Sequence, residues 1–280
     1  MSLAPAYAAA YAQGAFGELA ERYLHRAVVE DSLGVIVGRD AIVAEAIRTA
    51  SAFEDISATL LHDGEALGVI EMSGTIDGRA VRLREHRWSR FEGQRVAEDL
   101  LVVDRGALDL DFSMLGDAHP MQPPLGELRS GEGQFWAGST AGFGGAVFGG
   151  AGFGGAGSDV ADALHRIWNA RQLDTIARLY APDARWSGPG GRSGGPEAMR
   201  AWLTGLLARL PDATLMFDRS EVAGDRVAFL WRLFGHAGGR RARLIGSSLL
   251  TLHNGHIVAD DTLIDEAALA ATPHRPLLAL

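Results

Sequence analysis

Two adjacent carboxylates, Asp260 and Asp261, lie in an apolar stretch near the C-terminal end of the chain. Successive side chains of a β-strand point to opposite faces, so only one of the two can face an interior. One face then carries the alternating residues His256, Val258, Asp260, Thr262 and Ile264. A carboxyl on an apolar wall has its pKa raised by burial, which suits it to take a proton from a carbon next to a carbonyl. Asp260 is therefore the first candidate for general acid/base chemistry.

Other side chains of the predicted sheet give Asp260 a second interpretation. An ion pair with Arg243 or Arg232 would make the carboxylate a structural bridge. Arg243 is also a candidate for binding an anionic group of a substrate. His236, near the end of a predicted strand, can donate a hydrogen bond to a ligand carbonyl or tune Asp260; otherwise it is a partly exposed turn histidine. The sequence alone leaves these alternatives open.

Aromatic side chains in the same half of the chain are candidates for the wall of a small-molecule pocket. Their spacing fits an ordinary hydrophobic core equally well. The candidates for substrate contact are Tyr180, Trp186, Trp202, Phe217 and Trp231.

The two halves of the chain repeat each other. Residues 64–104 align with residues 225–265 without a gap, at an offset that places Asp99 on Asp260. A block upstream of each aligns at a slightly different offset. A tandem duplication explains these matches.

The first repeat has its own candidates for a pocket. Arg84 and His86 share one face of a predicted strand, and Glu85 and Arg87 share the other. These four consecutive polar residues could line a pocket. Alternatively, they could form a face of the sheet that contacts solvent or another protein surface. The candidates chosen for a pocket are Asp99, His86, Arg84 and Tyr23.

Each repeat has the same predicted order of elements: helix, loop, helix, and four strands in an antiparallel meander. In the second repeat the helices are predicted at 162–180 and 197–210, with a loop at 188–195. The strands are predicted at 215–221, 226–236, 241–252 and 256–264. This order predicts the α+β class, with helices packed on an antiparallel sheet.

A glycine-rich segment separates the repeats, and the backbone entropy of glycine makes it a flexible connector. A phosphate-binding loop is disfavoured, because no strand leads into the glycines and no Gly-Lys-Ser/Thr follows them. The predicted organisation is a first, divergent repeat at 1–106, a connector at 107–157, a second repeat at 158–270 and a tail at 271–280.

Composition excludes several classes of function. All 26 basic residues are arginine and cysteine is absent, which excludes Schiff-base lysines, disulfides, thiolate nucleophiles and zinc fingers. A formal net charge of −9 argues against a nucleic-acid partner. No His, Asp and Glu spacing predicts a metal site. No apolar run is long enough to cross a membrane, so the expected location is the cytoplasm.

Three stretches of the second repeat carry a resemblance to a known family: Gly224-Asp-Arg-Val-Ala228, Phe234-Gly-His-Ala-Gly238 and Asn254-Gly-His-Ile-Val-Ala-Asp260. With the preceding helix pair and glycine-rich crossover, they resemble the SnoaL-like branch of the nuclear-transport-factor-2-like superfamily. That branch includes polyketide ester cyclases and is related to ketosteroid isomerases. The resemblance covers nearly all of residues 158–268 and, more weakly, residues 8–106.

The resemblance implies two tandem cystatin-like cone folds, each with N-terminal helices packed on a strongly bent antiparallel sheet around an apolar pocket. Related proteins often dimerise through the outer face of the sheet, which implies an intrachain pseudo-dimer and allows a further homodimer. In SnoaL-like cyclases an Asp on the sheet wall acts as general acid/base, and no metal or organic cofactor is implied. The last strand departs from the family pattern, because Ala259, Asp260 and Asp261 stand where Glu, His and Trp are common.

These observations lead to one leading hypothesis and two alternatives. The leading hypothesis is cofactor-independent proton transfer, of ester cyclase, isomerase or dehydratase type, on an apolar carbonyl-containing molecule. Asp260 would be the acid/base, and His236 or Arg243 would polarise the substrate. The first alternative is a non-catalytic ligand-binding or accessory pseudo-dimer of the same fold. The second is a structural pseudo-dimer whose pockets are collapsed.

Overall fold

A computed structural model describes residues 3–32, 34–104 and 156–266 of the chain. The chain divides into two compact units, Met1–Arg129 and Ser130–Leu280, called the first and second unit below. Most of the predicted connector and the whole predicted tail lie outside the described residues. The last two residues of the predicted connector begin a helix of the second unit.

The second unit combines helices with a six-stranded sheet. Its helices are α4 (Ala156–Asn169), α5 (Ile176–Leu179) and α6 (Pro196–Arg209), with short 3₁₀ turns at Leu173–Thr175 and Pro189–Gly191. Its strands are β7 (Tyr180–Gly188), β8 (Arg192–Gly194), β9 (Thr214–Ala223), β10 (Arg226–Ala237), β11 (Arg240–His253) and β12 (His256–Ile264). The strand order is β8-β7-β12-β11-β10-β9.

The four predicted strands form the antiparallel meander β9 to β12, as expected from the turn residues between them. The predicted helix over 162–180 is wrong in its second half. It ends at Asn169, where Arg171 takes a left-handed backbone conformation with φ of 58°. Tyr180 then begins β7, which pairs in parallel with β12, so the sheet is mixed and not purely antiparallel.

Two sequence features explain why β7 and β8 were not predicted. Pro182 signals the end of a regular element, but here it lies where the β7–β12 register shifts, and its missing N–H is not needed there. The glycine-rich stretch 188–195, predicted as a loop, contains a 3₁₀ turn and the three-residue strand β8.

The first unit repeats this architecture. Its helices are α1 (Ala4–Gln13), α2 (Phe16–Arg22) and α3 (Arg39–Ser51). Its strands are β1 (Tyr23–Glu30), β2 (Val35–Val37), β3 (Ser57–Asp63), β4 (Leu67–Ile76), β5 (Arg79–Glu92) and β6 (Arg95–Val103). The order β2-β1-β6-β5-β4-β3 is that of the second unit, with β1 and β6 again parallel.

The two sheets match in register as well as in order. Asp99 lies opposite Val29, and Asp260 lies opposite Trp186, the residue that aligns with Val29 at the upstream offset. The tandem duplication and the α+β class with two cone folds are therefore confirmed. Among the described residues, no helix is long and apolar enough to span a membrane.

The core of the second unit lies between α4, α6 and the inner face of its sheet. Alternate residues of β10 enter this core, among them Phe229, Trp231 and Leu233. The indole of Trp231 lies over Gly246 in β11, where a Cβ atom would meet the ring at 2.2 Å. Glycine is required at this position because only it leaves room for the indole.

A β-bulge changes the predicted face of β12. Thr251 pairs with Ala259 and Leu252 with Ile257, so Val258 is the extra residue. Ile257 is consequently buried in the core, and His256 is exposed. The prediction that His256 and Val258 share the face of Asp260 is wrong, because alternation is reset at the bulge.

Candidate functional site

A small internal cavity lies on the inner face of the second sheet. Its volume is about 10 Å³, which is room for roughly one water molecule. Most of its lining side chains are apolar, and the polar ones are one carboxyl and three hydroxyls. The lining residues are Leu164, Trp168, Tyr180, Met199, Trp202, Leu215, Phe217, Trp231, Ser248, Leu250, Asp260 and Thr262.

Asp260 is the single ionisable carboxyl of this lining, and it is 3% exposed. The Tyr180 hydroxyl donates to its Oδ2 at 2.5 Å, and the Thr262 hydroxyl donates to its Oδ1 at 2.6 Å. β7 and β12 position the first pair as parallel neighbours, and Thr262 follows Asp260 by two residues on the same face.

Burial raises the pKa of Asp260 from 3.8 to about 6. The hydroxyls of Thr262 and Tyr180 oppose this shift, because they stabilise the ionised form, and the nearby charge of Asp261 adds to it. Burial, together with the Asp260 carboxylate, also raises the pKa of Tyr180 well above its ordinary value. The pair therefore consists of a tyrosine that keeps its proton and a carboxyl that exchanges one near neutral pH.

A directed chain of hydrogen bonds leads to Asp260. The indole Nε1 of Trp231 can only donate, and its partner is Ser248 Oγ at 3.1 Å. Ser248 and Thr262 are joined at 2.8 Å. Since Thr262 gives its one proton to Asp260, Ser248 must donate to Thr262. The chain is thereby oriented so that its last donor points at the carboxylate.

Three tryptophans enclose the cavity. The ring centroid of Trp168 lies 5.4 Å from that of Trp231 and 6.0 Å from that of Trp202. Trp186, a candidate for substrate contact, does not line the cavity; it packs behind Trp202 at 5.5 Å. The other aromatic candidates, Tyr180, Trp202, Trp231 and Phe217, do line it.

A carboxylate holds Trp202 in place. The indole Nε1 donates to Glu266 Oε1 at 2.7 Å. Glu266 also accepts from Arg209 at 3.0 Å and from Arg192 at 3.4 Å. Glu266 therefore ties α6 to the residues that follow β12, and it fixes one wall of the cavity.

His236 and Arg243 do not face the cavity. The core residues of β10 have odd numbers and those of β11 have even numbers, so both side chains point to the outer face of the sheet. His236 is exposed, and its Nδ1 lies 2.6 Å from Asp212 Oδ2. Arg243 also lies seven residues from Leu250, the partner of Asp260, or about 23 Å along the strand. The prediction that either residue polarises a substrate beside Asp260 is therefore wrong.

The alternative interpretation of Asp260 as an ion-paired bridge does not hold either. Arg232 is on the outer face of β10 and forms an ion pair with Asp218. The partners of Asp260 are hydroxyl groups.

The first unit divides its four candidates between two faces. Tyr23 and Asp99 face inward, and the Tyr23 hydroxyl donates to Asp99 Oδ2 at 3.0 Å. Arg84 and His86 are on the opposite face of β5, where Arg84 pairs with Glu71. Their prediction as pocket residues with Asp99 is wrong, because alternation turns Glu85 and Arg87 inward instead.

The sequence placed Thr262 on the face of Asp260, but it assigned no role to Thr262 or Ser248, and the inward charges of β5, Glu85 and Arg87, were not selected as site residues. Ser248 and Arg87 are aligned positions of the repeat, and each lies opposite a residue two positions after the aspartate. That register was available from the repeat together with strand alternation. Among the described residues, no group of three or more His, Asp or Glu side chains is placed to hold a metal ion.

Comparison with known proteins gives one family match. Residues 161–259 match the family model described as a SnoaL-like domain. No curated protein matches the chain.

Among solved structures, wild-type IdmH from Streptomyces antibioticus is 23% identical, and the match covers 42% of this chain and 98% of IdmH with a TM-score of 0.39. A protein with a ketosteroid isomerase-like fold from Catenulispora acidiphila, solved with trimethylamine, is 19% identical, with 42% and 94% covered and a TM-score of 0.38. A nuclear-transport-factor-2-like protein of unknown function from Burkholderia pseudomallei is 20% identical, with 44% and 100% covered and a TM-score of 0.39.

Proposed function

We propose that the second unit, whose residues 161–259 match the SnoaL-like domain family model, catalyses cofactor-independent proton transfer on an apolar carbonyl-containing molecule. The reaction would be of the ester cyclase, isomerase or dehydratase type, which share the removal of a proton from a carbon next to a carbonyl. The observation that carries this proposal is Asp260, a carboxyl buried among aromatic rings with only hydroxyl partners.

The proton can be followed through the site. Ionised Asp260 takes the proton from the α-carbon, and the C–H electron pair moves onto the carbonyl oxygen as an enolate. Protonation of Asp260 removes the charge that Tyr180 was stabilising, so the Tyr180 hydroxyl becomes available to donate to the enolate oxygen. Asp260 then returns the proton to carbon in an isomerisation or to the leaving oxygen in a dehydration. In a cyclisation the enolate carbon attacks a second carbonyl of the substrate, and Asp260 gives the proton to the alkoxide oxygen formed there. A pKa of about 6 suits both directions near neutral pH.

Entry of a substrate requires movement of the lining. A cavity of about 10 Å³ holds about one water molecule, whereas ligand pockets usually measure roughly 300–1,000 Å³. Phe217 is half-buried and Trp202 is the most exposed of the tryptophans around the cavity, so these two rings are the wall closest to solvent. Displacing them would bring a flat, apolar substrate against Asp260.

The proposal is tested by exchange of α-protons for deuterium in aromatic ketones, namely acetophenone, propiophenone and α-tetralone, followed by proton NMR in D₂O. Asp260→Asn keeps the shape of the side chain but cannot take a proton, so exchange should fall by roughly 100-fold or more. Asp261→Asn is the matched control, because the neighbouring side chain points to the other face of β12. Equal exchange rates with wild type and Asp260→Asn would exclude the proposal.

A second candidate is a non-catalytic protein of the same fold, and the small cavity volume favours it. Such a protein would bind the same ketones without exchanging their protons, or would not bind them at all. Titration of each ketone against tryptophan fluorescence separates the two, because three tryptophans surround the cavity. Saturable binding without exchange would indicate a binding module.

A further inference from the structure

One tyrosine–aspartate pair occurs in both units. Tyr23 donates to Asp99 in the first unit at 3.0 Å, and Tyr180 donates to Asp260 in the second at 2.5 Å. All four side chains are buried. The pair is therefore the shared feature of the two sites, and differences in their chemistry must come from what lies beside it.

The space beside the pair is filled in two different ways. In the second unit Trp231 faces Gly246 across the strands, and Ser248 follows two residues later. At the aligned positions of the first unit, Ile70 faces Glu85, and Arg87 follows two residues later. In the second unit the larger side chain of the facing pair is Trp231 of β10. In the first unit it is Glu85 of β5, the strand that corresponds to β11.

The two sets of side chains that fill this space, called the two fillings below, are Trp231, Gly246 and Ser248 in the second unit and Ile70, Glu85 and Arg87 in the first. They exclude each other. A Cβ atom at Gly246 would meet the ring of Trp231 at 2.2 Å, so an indole cannot coexist with a side chain at this position. Glu85 occupies the corresponding position in the first unit, where the facing residue is the smaller Ile70. The first unit therefore has room for charged side chains at the place where the second has an aromatic ring.

The Arg87 guanidinium is buried in the first unit, where it contacts two carboxylates and two tyrosines. It donates to Asp99 at 2.9 Å and lies 2.8 Å from Glu85 Oε2. Its Cζ atom is 3.4 Å from the centre of the Tyr7 ring, and one nitrogen reaches the Tyr11 hydroxyl at 3.5 Å. Burial lowers the pKa of Arg87, but Glu85, the two tyrosines and Asp99 together raise it well above its ordinary value. Arg87 is thus a permanent cation within this cluster.

Besides the bond from Tyr23, Asp99 accepts hydrogen bonds from Arg87 at 2.9 Å and from the Ser89 hydroxyl at 3.2 Å. Arg90 and Glu98 pair with each other on the other face of the sheet. The polar groups that face Asp99 or its cation from the packed elements are Tyr7 and Tyr11 of α1, Tyr23 of β1, and Glu85, Arg87 and Ser89 of β5.

We propose that Arg87 is a built-in occupant of the first unit's site. Its guanidinium fills the space beside the tyrosine–aspartate pair and holds Asp99 in an ion pair, so the first unit takes no ligand and transfers no proton. Of the two tyrosine–aspartate pairs in the described residues, that of the second unit has an aspartate whose hydrogen-bond partners are hydroxyl groups, whereas Asp99 also binds a guanidinium. The chain would therefore carry one reactive site and one charge-locked site of the same ancestry.

The test exchanges the two fillings within the full chain. In an Asp260→Asn background, the triple variant Ile70→Trp, Glu85→Gly, Arg87→Ser gives the first unit the residues of the second. Carbon-13 NMR of the aspartate side chains should then show a new carboxyl titrating close to the value of Asp260, about 6. Adding Asp99→Asn should remove it. A folded triple variant without the new titration overturns the proposal, as does such a titration when Arg87 is still present.

The reverse exchange covers the case in which the triple variant does not fold. Trp231→Ile, Gly246→Glu and Ser248→Arg place the charged filling beside Asp260, and its titration near pH 6 should disappear. Persistence of that titration would contradict the proposal. These titrations do not depend on ketone exchange, so failure of the proposed function and failure of this inference are separate outcomes.

Discussion

The hydroxyl of Tyr180 lies 2.5 Å from Asp260 Oδ2 and donates to it, although the two residues are 80 positions apart in the chain. The contact exists because β7 runs parallel to β12. Tyr180 lies opposite Ile257, and a register shift between Ile257 and Ala259 separates this pair from Asp260. Burial raises the pKa of Asp260, and this bond, together with that from Thr262, opposes the rise because it stabilises the ionised carboxylate.

Tyr180→Phe should raise the pKa of Asp260 further above 6. The hydroxyl stabilises the charged form, and a hydrogen bond to a charged group is worth about 1.5–3 kcal/mol, so its loss should raise the pKa by roughly one pH unit or more. Carbon-13 NMR of the aspartate carboxyl measures the value. Ser248→Ala, which acts only through Thr262, should give a smaller rise; a larger effect from Ser248→Ala than from Tyr180→Phe would contradict the described geometry.

Asp260→Asn should stabilise the protein at high pH. The folded pKa of Asp260, about 6, is above its ordinary value of 3.8, so the folded state holds more protons between these values and the free energy of unfolding falls as pH rises. The cost is absent below pH 3.8 and complete above about 6, where it is on the order of 3 kcal/mol. Urea unfolding at pH 4.5 and pH 8 tests this: the stabilisation by Asp260→Asn should be larger at pH 8, and a smaller value there would refute it.

Gly246→Ala should destabilise the second unit. The new methyl group would meet the Trp231 ring at 2.2 Å, and the ring is held by its bond to Ser248, so overpacking should cost about 1–3 kcal/mol. Gly205→Ala is the matched control, because this exposed helical position in α6 has nothing within 4 Å and alanine should stabilise it by about 1 kcal/mol. Thermal unfolding of both variants measures the difference, and equal effects would mean that Trp231 does not lie over Gly246.

Glu266 should control the mobility of the Trp202 wall. Glu266→Ala removes the carboxylate that accepts hydrogen bonds from the Trp202 indole, Arg209 and Arg192. Glu266→Gln keeps an acceptor oxygen and loses only the charge. Exchange of the Trp202 Nε1 proton with solvent, followed by nitrogen-15 NMR, should accelerate strongly in Glu266→Ala and only modestly in Glu266→Gln. Unchanged exchange in Glu266→Ala would show that another group holds the indole.

The sequence was most informative where repetition and alternation agree. Asp260, Thr262 and Ile264 were predicted to share a face and do so, because no irregularity lies between them. Strand alternation gave the wrong face for His256 and Val258, because a β-bulge lies at Val258 and no residue type in this stretch indicates a bulge. It also failed for β7, where Pro182 and a helical spacing of apolar residues hid a strand whose pairing partners in β12 lie 74–77 positions away in the sequence.

The site itself was less predictable than the fold. His236 and Arg243 were chosen for their chemistry, but the odd and even positions of β10 and β11 place them on the outer face. The inward charges Glu85 and Arg87 were passed over for the same reason, since a run of four polar residues does not say which pair points inward. Only the strand register relative to the aspartate decides this.

The most direct test of the role of Asp260 is titration of its side-chain carboxyl by carbon-13 NMR, with Asp260→Asn used to assign the signal. The proposed proton transfer predicts a midpoint near 6, caused chiefly by burial of the carboxyl, with hydroxyl groups and no cation as its hydrogen-bond partners among the described residues. A midpoint at the ordinary value, 3.8, or below would show a solvated or ion-paired carboxylate and contradict the proposal.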